Sequence, residues 1–164
     1  MSTEHKFNLS APYIVLGMHD ALVSLIGLIA GLTFAGFDRQ LIILSAVISS
    51  VAAALSMSAS CYLAEKTAKN PLAIRAGFLT GVAYIVTCIS LLVPFFIVPD
   101  TIVALLLSFG VVVAMIFGCN YCIHRSSGHA FWRHAIEMLL ICTGVSIVAF
   151  FIGEFAKYAF NLTI

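Results

Sequence analysis

Pro12-Tyr13-Ile14-Val15-Leu16-Gly17-Met18-His19-Asp20-Ala21-Leu22-Val23-Ser24-Leu25-Ile26-Gly27-Leu28-Ile29-Ala30-Gly31-Leu32-Thr33-Phe34-Ala35-Gly36 is a long apolar run with a histidine and an aspartate side by side inside it. At about 1.5 Å per residue, a helix of this length crosses the roughly 30 Å hydrocarbon core of a bilayer. A carboxylate within such a helix costs about 2.5–3.5 kcal/mol by insertion scales, so an intramembrane acid faces a partner, a cavity or a pathway. Asp20 is therefore the first functional candidate.

The remainder of the chain repeats the apolar pattern. Of its 164 residues 62% are hydrophobic and 9% charged, where a soluble domain carries roughly 25% charged residues. Mean hydropathy is +1.13. Apolar runs predict helices at about 12–36, 41–64, 71–98, 101–123 and 131–160. Residues 1–164 thus read as a single all-α, polytopic membrane domain with five transmembrane helices. A transmembrane barrel has short alternating segments instead. The breaks are Phe37-Asp38-Arg39-Gln40, the polar stretch Glu65 to Pro71, Pro99-Asp100 and the loop His124 to His129. Asp100 is a predicted helix N-cap. The polar start, Met1 to Ala11, lacks the basic lead and cleavage site of a signal peptide, so the first run reads as a retained helix.

Lys and Arg set the expected orientation. Lys6, Lys66, Lys69, Arg75, Arg125 and Arg133 fall on one side, and only Arg39 and Lys157 on the other. The positive-inside rule then puts the N-terminus in the cytoplasm and the C-terminus outside or in a lumen. Tyr13, Trp132 and Tyr158 are expected interfacial anchors. The net charge of +1 comes without a basic stripe, which gives no footprint for nucleic acid. No nucleotide-binding loop, protease motif or zinc-finger pattern is present, and the chain reads as a non-enzyme. The five cysteines, Cys61, Cys88, Cys119, Cys122 and Cys142, lie in or beside apolar runs and read first as buried thiols.

The second run supplies candidate partners for Asp20. Counting in from the cytoplasmic ends puts Asp20 about 12 Å and Met57 about 13 Å deep, hence level with each other. Met57, Cys61 and Glu65 are four apart and share a helix face. A thioether, a thiol and a carboxylate in a row suit borderline transition metals. Plain packing for Met57 and Cys61, and an interfacial charge for Glu65, is the competing reading of the same residues. Small residues from Ser45 to Ser60, and Gly27 with Gly31 at GxxxG spacing, make the first two helices candidates for close approach within or between subunits. Cys119, Cys122 and His124 at the end of the fourth run form a candidate cytoplasmic metal site. His19, Glu137 and Glu154 are candidate proton-relay groups.

The segments Gly17-Met18-His19-Asp20-Ala21-Leu22-Val23-Ser24 and Leu28-Ile29-Ala30-Gly31-Leu32 resemble the opening helix of the vacuolar iron transporter family. Ala54-Leu55-Ser56-Met57-Ser58-Ala59-Ser60-Cys61-Tyr62-Leu63 is similar to that family's Ser-Met-x-x-Gly-Glu-Tyr motif. Leu91-Leu92-Val93-Pro94-Phe95 looks like its Pro-Leu-Leu-Pro segment, and Met138 to Ile141 with Phe151-Ile152-Gly153 are like its last helix. The resemblance implies five helices, a homodimer whose axis lies between the first two helices of each subunit, and a metal path along that axis. It implies proton-coupled export of Fe²⁺ or Mn²⁺ from the cytoplasm, with the ion as cargo and no tightly bound cofactor. By position Asp20 and Met57 match the family's pathway residues. The implied membrane is the plasma membrane in a bacterium or archaeon, and a vacuolar or other organelle membrane in a eukaryote. Two departures stand out. Cys61 and Ser60 replace the motif's Glu and Gly, and only Glu65 to Pro71 stands where many members insert a glutamate-rich cytoplasmic helical domain. The alternative implied by these losses is a non-transporting membrane subunit of the same fold that has lost its metal site.

Overall fold

The computed structural model describes the backbone of residues 3–127 and 131–159, and the side chains of most of them. Five helices run in sequence among these: α1 Thr3–Phe34, α2 Arg39–Thr67, α3 Ala73–Ile97, α4 Thr101–Ser127 and α5 Phe131–Ala159. Each holds a stretch long and apolar enough to cross a membrane: Ser10–Phe34, Arg39–Thr67, Ala73–Ile97, Thr101–Tyr121 and Ile136–Phe155. The five predicted spans are thus present, and α1 starts earlier than its apolar run, with Pro12 inside the helix.

The turns explain why the helices stop where they do. After α1, Gly36 adopts a left-handed φ of 84°, and the Gly36 and Phe37 N–H groups bond the Thr33 and Leu32 carbonyls. This is a Schellman cap, which favours glycine because a Cβ is penalised in the left-handed region. After α2 the same cap recurs with Lys69 at φ 57°, and Asn70 N–H reaches the Glu65 carbonyl at 2.9 Å. Asp100 caps α4 as expected: its Oδ1 accepts from the Ile102 and Val103 N–H groups, both at 2.9 Å. At the opposite end of α3 from Ala73, the Arg39 guanidinium donates to the Phe95 and Val98 carbonyls at 3.4 and 3.3 Å. A cation at a helix C-terminus satisfies carbonyls that have no partner within the helix.

Helices α1 and α3 form the centre. In the most apolar 18-residue stretch of each helix, half of α1 and 44% of α3 are buried, against 22% for α2, so α2 gives most of its surface to whatever surrounds the bundle. The core is built from Leu22, Ile26, Ile29, Tyr84, Leu91, Phe95, Val112 and Ile116. The tightest seams run along α3 and α5. A Cβ at Gly17 would collide with the Thr80 backbone, and one at Gly77 would lie 2.7 Å from the Ser58 carbonyl oxygen. The Ser58 hydroxyl donates to the Gly77 carbonyl at 2.9 Å. Gly27 and Gly31 meet Val145 and Ala149, and Gly153 meets the Gly31 backbone. The GxxxG pair of α1 therefore packs on α5 of its own chain, and the small residues of α2 fit the Gly77-xxx-Gly81 notch of α3. Within one chain, the glycines of α1 and the small residues of α2 thus make their close approaches to α5 and α3.

Candidate functional site

Helix register places Asp20. Gly17 lies against the Thr80 backbone, and the Thr80 hydroxyl oxygen lies 3.3 Å from Cys61 Sγ. Residues 17, 80 and 61 therefore share one level of α1, α3 and α2. One turn further from the α2–α3 turn, the antiparallel α2 offers Met57, while α1 offers Asp20 and α3 offers Tyr84. Asp20 lies ten residues into the Ser10–Phe34 span, roughly 15 Å along the helix. Its side chain is exposed on the bundle surface, and Met57 is half-buried. Tyr13, Gly17, Asp20 and Ser24 follow one another on one α1 face, and both neighbours of Asp20 on that face are engaged by α3.

The hydroxyls beside Asp20 form a hydrogen-bonded pair. Ser24 donates to the Asp20 backbone carbonyl at 2.7 Å. Ser24 Oγ and Tyr84 OH are 2.7 Å apart, and Tyr84 is buried. Cys88 stands beside the Ser50 hydroxyl of α2, which is buried without a well-formed hydrogen bond. Ser24 of α1 and Tyr84 of α3 thus set two hydroxyls one turn from the acid, in a stretch of otherwise apolar packing. Sequence reasoning passed over Ser24 and Tyr84; the signal available was Ser24 at i+4 from Asp20.

The stripe Met57, Cys61, Glu65 does not stay on one surface. Four residues advance a helix by about 400°, so each step turns the stripe by roughly 40°. Cys61 is buried, and its Sγ lies 3.3 Å from the Thr80 hydroxyl oxygen. Glu65 is half-buried, and its Oε2 accepts from Asn70 Nδ2 at 2.5 Å. The same Nδ2 reaches Tyr13 OH at 3.2 Å, while Asn70 Oδ1 accepts from the Leu72 N–H. Glu65 and Tyr13 therefore belong to a polar knot that joins α1 to the α2–α3 turn.

The other candidates are scattered. His19 is half-buried one position from Asp20, rotated by about 100° from it. Glu137 and Glu154 are exposed on α5, and Cys119 is half-buried on α4. The side chains of Cys122, His124 and Trp132 lie outside the described residues. Among the described residues of one chain, no three His, Cys, Asp or Glu side chains converge as a metal cluster.

The VIT family model matches residues 12–73 and 65–154, which takes in parts or all of each of the five helices. The chain belongs to the VIT family. VIT proteins are vacuolar-iron-transporter-type metal transporters, built as membrane-spanning helical bundles, and they are not enzymes. The two matched segments overlap at residues 65–73, around the connection between α2 and α3. That connection is residues 68–72. A comparison with curated proteins gave no match.

Proposed function

We propose that this VIT protein exports a divalent transition metal ion, Fe²⁺ or Mn²⁺, from the cytoplasm in exchange for protons, along a path between two copies of the chain. The observation that carries this reading is the exposed Asp20 carboxylate, level with Met57 in the middle of the apolar span. An acid facing lipid there costs about 2.5–3.5 kcal/mol. A second copy laid against this face covers the acid, doubles it, and leaves a polar passage where a dehydrating cation gains what the carboxylate otherwise loses. Exposed Ser49, Ser56 and Ser60 on α2 permit close approach of that copy. The distribution of Lys and Arg supports a cytoplasmic N-terminus and hence an entry at the α2–α3 end. Asp20 supplies charge and Met57 a soft donor. Cys61 and Glu65, held by Thr80 and Asn70, serve the fold of the entry end. The short 68–72 connection leaves no room for a glutamate-rich collecting domain, so the ion enters directly from solution.

The second reading is a non-transporting subunit. It is favoured by Cys61, a buried thiol standing where the resembling motif carries Glu. Uptake of Mn²⁺, Fe²⁺, Co²⁺ and Zn²⁺ into proteoliposomes, with and without a pH gradient, separates the two. The carrier reading expects uptake that an opposing proton gradient drives and that Asp20→Ala abolishes. Absence of uptake of every ion by the unaltered protein supports the subunit reading.

A further inference from the structure

We infer that Ser24 is a further cation ligand of this passage, one turn outward from Asp20, and that the buried Tyr84 is its positioning residue. The inference rests on the carrier reading and deepens it. The argument is a count of protons. A serine hydroxyl has one proton and two lone pairs. The Ser24 proton goes to the Asp20 carbonyl at 2.7 Å. The contact of 2.7 Å between Ser24 Oγ and Tyr84 OH must then be filled by the tyrosine proton. Ser24 is left with one lone pair, no proton to offer, and an exposed position on the Asp20 face. An oxygen in that state accepts and cannot donate, which suits a cation.

Backbonding to the i−4 carbonyl is common for hydroxyls in membrane helices. Thr80, Thr87, Ser90 and Ser146 all do it here. What sets Ser24 apart is the second hydroxyl behind it. Tyr84 is 2% exposed, so it cannot meet the ion itself. Its ring is fixed in the core, and its O–H holds the serine oxygen from rotating. Asp20 and Ser24 lie about 6 Å apart along the helix, one step of a cation moving outward. Hydroxyl and carboxylate oxygens together form a hard donor pair, which suits Mn²⁺ better than softer ions.

The test is initial-rate Mn²⁺ uptake into proteoliposomes containing the full chain, with folding checked by thermal melting and gel filtration. Ser24→Ala is expected to raise KM for Mn²⁺ about tenfold with the maximal rate retained, and Ser24→Thr, which keeps the hydroxyl, to restore it. Tyr84→Phe is expected to raise KM by less, and to add nothing in the Ser24→Ala background because it acts through Ser24. Ser24→Cys gives a second route: it should shift preference from Mn²⁺ toward Zn²⁺. Unchanged KM in folded Ser24→Ala, or a Tyr84→Phe effect that persists undiminished in that background, overturns the inference. If the unaltered protein takes up Mn²⁺ and Asp20→Ala does not, such a result removes the Ser24 ligand alone. If the unaltered protein takes up nothing, the carrier reading falls with it.

Discussion

The surface of α1 that meets α3 and the surface that carries Asp20 are neighbours on one helix and opposite in design. At Gly17 the Thr80 backbone occupies the space a methyl group would need. One turn on, Asp20 is exposed with a half-buried thioether level with it. Close packing fixes the α1–α3 register to within a side chain, since interiors tolerate neither added nor missing methyl groups. The open face can then hold a charge at a defined depth without packing of its own. Rigid seams beside an unfilled polar face are what a site for a passing ion requires, because the donors must stay in place while the ion does not.

The largest expected effect breaks the packed side. Gly17→Ala forces a Cβ into the Thr80 carbonyl, and we expect a loss of about 1–3 kcal/mol or failure to fold, read as a lower melting temperature and aggregation on gel filtration. A Gly17→Ala protein as stable as the parent contradicts the α1–α3 register, and with it the alignment of Asp20 with Met57. Next is the polar knot at the α2–α3 turn. Asn70→Asp keeps the Oδ1 acceptor for Leu72 but removes the donor to Glu65 and Tyr13, and it should cost about 1–3 kcal/mol. Glu65→Gln in the same chain exchanges donor and acceptor, so the double variant should recover most of that melting temperature. Recovery is absent if Glu65 and Asn70 do not act as a pair.

On the open face, Met57→Leu keeps volume and removes sulfur. It should leave melting within about 1.5 kcal/mol of the parent and lower uptake efficiency for Fe²⁺ about tenfold. Equal uptake by this variant makes Met57 a packing residue. The smallest effect is expected at Gly144, where an added Cβ meets nothing within 4 Å. Gly144→Ala should stabilise α5 by about 0.5–1 kcal/mol and leave uptake unchanged, in contrast with Gly17 on the same scale.

Much of the fold was legible because membrane spans are read from length and hydropathy alone. The five runs, the stop at Gly36 and the Asp100 cap follow from local chemistry. The pairing of helices did not follow. GxxxG spacing at Gly27 and Gly31 marks a face but not its partner, and α5 supplies it through Val145 and Ala149. The Gly77-xxx-Gly81 notch carries little signal of its own in a chain with small residues on every helix. Asp20 was legible because charge in hydrocarbon is costly wherever it lies. The Met57–Cys61–Glu65 stripe was legible as a helix face, and its neighbours were not: Cys61 lies against Thr80 and Glu65 against Asn70, residues of the third helix and of the turn before it. Ser24 and Tyr84 are sixty residues apart, and a single hydroxyl on either helix carries no signal until the fold joins them.

Asp20→Asn tests the central claim most directly, because it removes the charge and keeps the shape. Measured in proteoliposomes against the unaltered protein, with matched melting temperatures, this variant should show Mn²⁺ uptake no greater than protein-free vesicles. Uptake at the unaltered rate would mean that the ion does not pass the carboxylate, and the account of the passage would be wrong.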